Sequence, residues 1–239
     1  MENKKKRVVA EDRKDGTKAP RPKDASTIII HRQSGPRTEI LMGERSSRHS
    51  FMPNTYVFPG GRVDAGDARI IPAKDLREDV LERLCRGGCT PARARALAIA
   101  AIRETFEETG LLISASYGAP RRSKLQVWND FGTVTCGPDL SRLDYIARAV
   151  TPPMRKKRFN TRFFVLDGNE IEGNLGGSDE LLDMKWVTLS EARDLEIPAI
   201  TEYILGEVET YLKEKPKTIS SYPVKLFKMV NGKRVYTTE

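Results

Sequence analysis

Three glutamates in the segment IRETFEETGLLI, residues 102–113, have the spacing of a shared site. Glu104, Glu107 and Glu108 are three and four positions apart, so a helix would place them within an arc of about 100° on one face. Like charges at this spacing destabilise a helix by about 0.2 to 0.5 kcal/mol for each pair. A bound divalent cation reverses this effect, because Mg²⁺ takes oxygen ligands and commonly bridges carboxylates to substrate phosphates. The alternative is a solvated acidic face without a ligand.

Two neighbouring signals place these carboxylates in a structural context. The segment YVFPGGRVDAGD, residues 56–67, predicts a β-strand that enters a glycine turn and ends in acidic residues. Thr90 and Pro91 are typical of a helix N-terminus, and Gly110 is typical of a helix end. The sequence therefore predicts an acidic helix that follows a glycine-rich loop.

Together these segments resemble the signature of the Nudix hydrolase family, in which a glycine, five residues, a glutamate and seven residues precede R-E-aliphatic-x-E-E-x-G-aliphatic. This chain has Gly61, five residues, Asp67, an interval of thirty-five residues, and then RETFEETGL from Arg103 to Leu111. It departs from the signature in three places: Asp67 replaces glutamate, the interval is longer, and Thr105 replaces an aliphatic residue.

The resemblance implies an enzyme that uses Mg²⁺ or Mn²⁺ to hydrolyse a nucleoside diphosphate linked to another group. It assigns Glu104, Glu107 and Glu108 as metal ligands, and Glu104 is also expected to orient or deprotonate the attacking water. The catalytic set that we predict is Arg103, Glu104, Glu107 and Glu180. Arg103 is expected to hold a carboxylate, and Glu180 in GGSDELLDMKW is our candidate for a further base from a distant loop, against the alternative of a solvated loop acid. The loop residues of the signature are Gly60, Gly61, Asp67 and Gly110.

The remaining patterns predict a scaffold of mixed strands and helices that fits the Nudix α/β/α sandwich with a mixed β-sheet. Strands are predicted at 26–32, 38–44, 55–59, 161–167 and 184–189. Helices are predicted within 75–86, ending at Gly87-Gly88, in the acidic segment, at 190–195 and at 199–214. In the acidic helix, Ile99, Ile102 and Phe106 are expected to face the core, opposite the glutamates.

Three regions follow from these patterns. Residues 1–24 contain basic and mixed charge with few large apolar side chains, which predicts a disordered basic tail. Residues 25–215 form the predicted Nudix domain, with a helical insertion at about 68–90. Residues 216–239 form a C-terminal extension with a β-hairpin at Asn231-Gly232. The hairpin either adds an edge to the sheet or covers a second subunit of a homodimer.

The composition is that of an ordinary globular chain, with 38% hydrophobic and 31% charged residues among 239. Neither a membrane span nor a signal peptide is predicted, and we expect a cytoplasmic protein without a membrane partner. Cys85, Cys89 and Cys136 are expected to be reduced thiols, and His31 and His49 to be structural or surface residues.

The net charge of +8 raises a second class of function, a nucleic-acid binding module. Its basic clusters are residues 4–7 and 155–162, and no RNA- or DNA-binding motif accompanies them. A basic loop beside an acidic metal site also suits an enzyme of anionic substrates, so nucleic acid is not favoured as a partner. The third alternative is that the positive charge of the chain serves only its solubility.

Within the family, the segments FPGGRVD, AIRETFEETGLL, TPPMRKKRFNTRFFV and ELLDMKWVTLSEA resemble the branch of peroxisomal acyl-coenzyme A diphosphatases. This resemblance implies cleavage of the pyrophosphate of coenzyme A or its acyl esters, with Arg158 and Arg162 binding substrate phosphates. NADH, ADP-ribose, other nucleotide sugars and capped RNA stay open as alternative substrates. A non-catalytic Nudix-fold regulator that binds nucleotide or nucleic acid is the alternative of another class, although all three glutamates are present.

Overall fold

A computed structural model describes residue 12 and residues 18–48, 51–115, 123–134, 137–214, 216, 219, 222–230 and 233–239. Most of the predicted basic tail, His49, Cys136 and the Asn231-Gly232 turn lie outside the described residues. The strands in the described part are β1 (Lys23–Ser34), β2 (Arg37–Arg45), β3 (Tyr56–Val57), β4 (Gly60–Arg62), β5 (Leu111–Leu112), β6 (Asp144–Val150), β7 (Phe159–Asp167), β8 (Glu172–Gly173), β9 (Leu181–Thr188), β10 (Lys225–Val230) and β11 (Lys233–Thr238).

Nine of these described strands form one mixed sheet, in the order β11-β10-β6-β7-β1-β2-β3. Strand β4 pairs with β1 and strand β9 pairs with β2. Strands β1 and β7 are parallel, as are β6 and β10, whereas β6 and β7 are antiparallel. The remaining two strands, β5 and β8, pair with each other.

The helices pack on this sheet as the predicted α/β/α sandwich. In the described part they are α1 (Glu78–Arg86), α2 (Pro91–Thr109), α3 (Gln126–Val134), α4 (Leu189–Asp194) and α5 (Ala199–Glu214). Helix α2 packs on β1 and α1, and α5 packs on β6. Ile28, Ile30, Leu41 and Phe164 are at most 1% exposed and form part of the core between these layers. None of the described helices has the length and apolar character of a membrane span.

Helix α2 begins and ends where its capping residues predict. The Thr90 hydroxyl accepts a hydrogen bond from the Arg93 backbone N–H at 3.3 Å, and Pro91 occupies the first helical position. Gly110 ends the helix at φ 75°, a left-handed conformation that favours glycine. Ile99 and Ile102 are buried, and the Phe106 ring packs on the Phe131 ring. The apolar face fixes the helix on the sheet.

One boundary and one element differ from prediction, and one open alternative is decided. Strand β1 begins at Lys23 because Lys23 to Thr27 pair with β7, so the last residues of the predicted tail belong to the sheet. Helix α3 was not predicted, since its nine residues are too few to give a clear helical periodicity. The C-terminal hairpin does form an edge of the main sheet, through the pairing of β10 with β6.

Candidate active site

The glycine loop fits closely against the acidic helix. A Cβ atom on Gly60, whose φ is +150°, would lie 2.6 Å from the Thr27 Cα atom. A Cβ atom on Gly61 would lie 2.5 Å from the carboxylate carbon of Glu104. Gly60 therefore requires glycine, because the backbone of β1 occupies the space of a side chain, whereas a side chain at Gly61 would displace the Glu104 carboxylate.

Arg103 is the centre of the hydrogen-bond network behind this loop. Its Nε donates to Asp67 Oδ1 at 2.8 Å and its Nη2 donates to the Arg62 carbonyl at 2.8 Å. Its Nη1 lies 2.9 Å from Glu104 Oε1 and 2.6 Å from Glu107 Oε2. One guanidinium thus connects the loop to two of the three signature glutamates and fixes their positions.

Asp67 supports Arg103 and does not reach the pocket. The side chain of Asp67 is 0% exposed, and its oxygens accept hydrogen bonds from Arg103, from Trp128 Nε1 at 3.2 Å and from the Asp64 N–H at 2.8 Å. With both oxygens engaged, Asp67 ties the loop to Arg103.

Glu108 is the most deeply buried of the three signature glutamates. Its side chain accepts a hydrogen bond from the Gly60 N–H at 2.8 Å. Burial and the charge of Glu104 raise the pKa of Glu108 well above its ordinary value, against the opposing effects of the Gly60 N–H and Arg45. The glycine loop therefore holds one oxygen of Glu108 through its backbone.

The other two glutamates share this unfavourable electrostatic environment. Burial raises the pKa of Glu104 to about 7; the charge and hydrogen bond of Arg103 oppose this shift, and the charges of Glu107 and Glu180 add to it. Burial and the charges of Asp67 and Glu180 likewise raise the pKa of Glu107. Burial alone would lower the pKa of Arg103, but Asp67 and the glutamates raise it, so this cation stays charged.

The carboxylate oxygens of Glu104, Glu107 and Glu108 are chemically suited to a hard divalent cation. Among the described residues, no three histidine, cysteine, aspartate or glutamate side chains are already arranged to hold a metal ion. Glu104 and Glu107 instead pair with Arg103. Several carboxylates whose pKa values are raised by burial and mutual repulsion are nevertheless the oxygen ligands that Mg²⁺ and Mn²⁺ prefer. A bound cation would neutralise the negative charge of the glutamates that Arg103 and Arg45 do not neutralise.

The glutamates lie at one end of a cavity of about 920 Å³. Gly60, Gly61, Arg103 and the exposed Glu180 line the same cavity, so it brings together most of the predicted site. Gly110 has a different place, at the end of α2. The cavity volume is at the upper end of those that bind drug-sized ligands.

A basic loop, which we define as residues 152–158 between β6 and β7, forms another wall of this cavity. Lys156, Lys157 and Arg158 line the cavity. Arg158 Nε donates to the Thr151 carbonyl at 3.0 Å and Arg158 Nη1 donates to the Pro20 carbonyl at 2.8 Å. The guanidinium of Arg158 is therefore held at the cavity wall, and its binding of substrate phosphates stays a prediction.

Arg162 is wrongly predicted as a substrate-binding residue. Side chains alternate along a strand, and Thr161 and Phe163 line the cavity, so Arg162 points to the other face of the sheet. There its side chain is 1% exposed, and its Nη1 donates to Asp24 Oδ1 at 3.1 Å. Burial and this ion pair keep Arg162 away from the cavity.

Two residues of the site were missed in the sequence. Trp128 on α3 donates to Asp67 across a separation of 61 residues, which no local pattern reveals. Arg45 lines the cavity, and its charge acts on Glu108 and Glu180. The only sequence signal for Arg45 is a cation at the end of an apolar strand, which is too common to single it out.

Comparisons with known proteins identify relatives that are named as a diphosphatase and as a nudix hydrolase. No protein-family model matches the chain. An acyl-coenzyme A diphosphatase of Gallus gallus is 38% identical over 104 residues, which are 35% of this chain and 27% of that protein. A Caenorhabditis elegans protein named as a nudix hydrolase is 28% identical over 186 residues, or 72% of this chain and 53% of that protein. The chain thus spans about half the length of these curated relatives, or less.

The fold has a match among solved structures. A NUDIX hydrolase from Alicyclobacillus acidocaldarius superposes with a TM-score of 0.61 at 23% sequence identity, covering 81% of this chain and 96% of that chain. The chain therefore has the fold of a Nudix hydrolase, carries residues of the Nudix signature, and is similar in sequence to proteins named as Nudix hydrolases and diphosphatases.

Proposed function

We propose that this chain is a Mg²⁺- or Mn²⁺-dependent diphosphatase that cleaves the pyrophosphate of a nucleoside diphosphate linked to another group. The observation that carries the proposal is the cluster of Glu104, Glu107, Glu108 and Glu180 at one end of a cavity with cationic side chains along another wall. Such an arrangement suits a polyanionic substrate that reacts beside a divalent cation.

Glu104, Glu107 and Glu108 would hold the metal ion, which supplies charge neutralisation at phosphate oxygens and activation of water when bound. Arg103 positions the Glu104 and Glu107 carboxylates, and the Gly60 N–H positions Glu108. Our candidates for the group that takes a proton from the attacking water are Glu180, which lines the cavity, and Glu104, whose pKa lies near 7.

Coenzyme A and its acyl esters are the substrates that we propose first. Two relatives support this choice, because both are named as acyl-coenzyme A diphosphatases. One is the protein of Gallus gallus, and the other is 24% identical to this chain over 204 residues. Arg158, with Lys157 beside it in the basic loop, is placed to attract substrate phosphates.

The test is incubation of the purified protein, with Mg²⁺ or Mn²⁺, with coenzyme A, an acyl-coenzyme A, NADH, ADP-ribose and capped RNA, followed by mass analysis of products. The inactive variant is Glu107→Gln combined with Glu108→Gln. The matched control is Glu172→Gln, an exposed glutamate outside the cavity.

We expect products that result from cleavage within the pyrophosphate, formed by wild type and Glu172→Gln and absent with the double variant. Equal turnover by the double variant would refute the assignment of the acidic helix. The lack of any product with either metal, together with tight binding of a nucleotide, would favour the regulator alternative.

A further inference from the structure

A single row of paired residues crosses the sheet from the glycine loop to the C-terminal hairpin. Consecutive pairs join Arg62 to Ala25, Ala25 to Thr161, Thr161 to Ala149, Ala149 to Phe227 and Phe227 to Tyr236. Directly paired residues point to the same face of a sheet. All six residues line the cavity, and we call this row the cavity floor: Arg62, Ala25, Thr161, Ala149, Phe227 and Tyr236.

The hairpin determines how far this floor extends. Neighbouring strands lie about 4.8 Å apart, so the five steps from Arg62 to Tyr236 span about 24 Å. Without the hairpin, the floor would end at Ala149 after about 14 Å. The three central residues, Ala25, Thr161 and Ala149, have small side chains, which leaves room above the sheet. A long substrate can therefore lie along the floor, with its pyrophosphate at the Arg62 end, where the glycine loop meets the signature glutamates that line the same cavity.

The far end of the floor presents an aromatic surface. The Tyr236 ring centroid lies 4.9 Å from that of Tyr203 on α5 and 5.0 Å from that of Phe227. These contacts hold the Tyr236 ring in place, yet Tyr236 is 53% exposed. A fixed, exposed aromatic ring in a ligand cavity is suited to stacking on a planar base.

Cations flank this aromatic surface. Arg234 pairs with Met229, one row beyond Tyr236 on the same face, and both Arg234 and Met229 line the cavity. Lys157 of the basic loop lines it as well. Neither Arg234 nor Lys157 forms a salt bridge with another described residue. An alkyl chain would leave these charges without a partner, whereas a phosphate would neutralise them.

The hairpin is fixed from the opposite face of the sheet. Buried Arg83 on α1 donates to the carbonyls of Ile219 and Tyr222, which precede β10, and to the Tyr145 carbonyl at 2.7 Å. Arg148 on β6 forms a salt bridge of 2.5 Å with Glu239, which follows β11. The aromatic surface is therefore a preorganised part of the fold.

We propose that the hairpin binds the phosphorylated nucleoside end of the substrate, with the base stacked on Tyr236 and a phosphate outside the scissile pyrophosphate bound by Arg234 and Lys157. This proposal rests on the proposed function for its choice of a nucleotide substrate. The class of substrate is a nucleoside diphosphate derivative whose ribose carries a further phosphate.

The test is isothermal titration calorimetry of the full chain in metal-free buffer, with adenosine 3',5'-bisphosphate and with AMP. Tyr236→Ala should weaken both ligands about tenfold, because the stacking contribution is lost. Arg234→Ala should weaken the bisphosphate about tenfold and AMP much less, because only the former carries the extra phosphate. The matched controls are Thr237→Ala and Lys233→Ala, exposed neighbours on β11 that lie outside the cavity lining.

Unchanged binding in both test variants, or equal losses in the controls, would overturn the proposal. So would a loss confined to acyl-coenzyme A that grows with acyl length, since this result would assign the surface to the acyl chain. Turnover assays separate the two proposals. Hydrolysis with unaltered KM in both test variants would refute only the hairpin subsite, and Arg234-dependent binding without hydrolysis would refute only the diphosphatase.

Discussion

Glu104 provides a test of the electrostatic reasoning, because its charge should destabilise the metal-free protein. Burial raises the pKa of Glu104 from 4.5 to about 7, and its side chain is only 14% exposed. Between these two pH values the folded state binds more protons than the unfolded state, so stability falls as pH rises. At about 1.4 kcal/mol for each pH unit, the ionised carboxylate costs about 3 kcal/mol above pH 7.

Glu104→Gln removes this charge while keeping the size of the side chain and an oxygen that accepts a hydrogen bond from Arg103. We expect the variant to be more stable than wild type by about 3 kcal/mol at pH 8 and nearly equal to it at pH 4. Urea unfolding in the presence of a chelator, at a series of pH values, measures the difference. Glu172→Gln, an exposed glutamate, is the control and should show no such trend.

Mg²⁺ should reverse the order of stability of wild type and Glu104→Gln at pH 8. A ligand that binds only the folded state stabilises it by an amount that depends on its concentration and dissociation constant. Mg²⁺ should therefore stabilise wild type at pH 8 more than it stabilises Glu104→Gln. A variant that is less stable than wild type at pH 8 without metal, or a difference that does not depend on pH, would refute the reasoning.

Three further substitutions test the loop and its support. Gly61→Ala should reduce kcat/KM on the order of 100-fold, because its Cβ displaces the Glu104 carboxylate; a normal rate would contradict this close contact. Asp67→Asn should lower the free energy of unfolding by about 3 kcal/mol, because it removes the charge partner of a buried guanidinium; urea titration measures this loss. Trp128→Phe should lower the free energy of unfolding by about 2 to 3 kcal/mol, because it removes both the N–H donated to Asp67 and part of a buried ring; an unchanged free energy of unfolding would contradict both contributions.

The parts of the site that follow from local geometry were predictable from the sequence. Glu104, Glu107 and Glu108 share a helix face because of their spacing, and Thr90 and Gly110 cap that helix through bonds to nearby backbone groups. The hairpin was also predictable from a two-residue turn between strand-like segments. Each of these features depends on residues that are close in the chain.

Features that depend on register or on distant contacts were not predictable in this way. A strand was predicted at 161–167, within the observed β7, but which face of it lines the cavity depends on its pairing with β1 and β6. A one-residue difference separates Thr161 in the cavity from Arg162 on the opposite face. The cavity floor likewise requires five strand pairings at once, and no periodicity in the sequence contains this information.

Asp67 shows how a departure from a signature can be accommodated by the structure around it. Its carboxylate is fully buried and accepts two hydrogen bonds from Arg103. It accepts one more from Trp128 Nε1 and one from the Asp64 N–H. Since the short helical turn that carries Asp67 lies directly against α2, the shorter side chain still reaches the guanidinium. The long insertion follows this turn and leaves the contact intact. The loop therefore requires an anion within hydrogen-bond distance of Arg103, because that anion holds Arg103, and Arg103 in turn orients Glu104 and Glu107 toward the cavity.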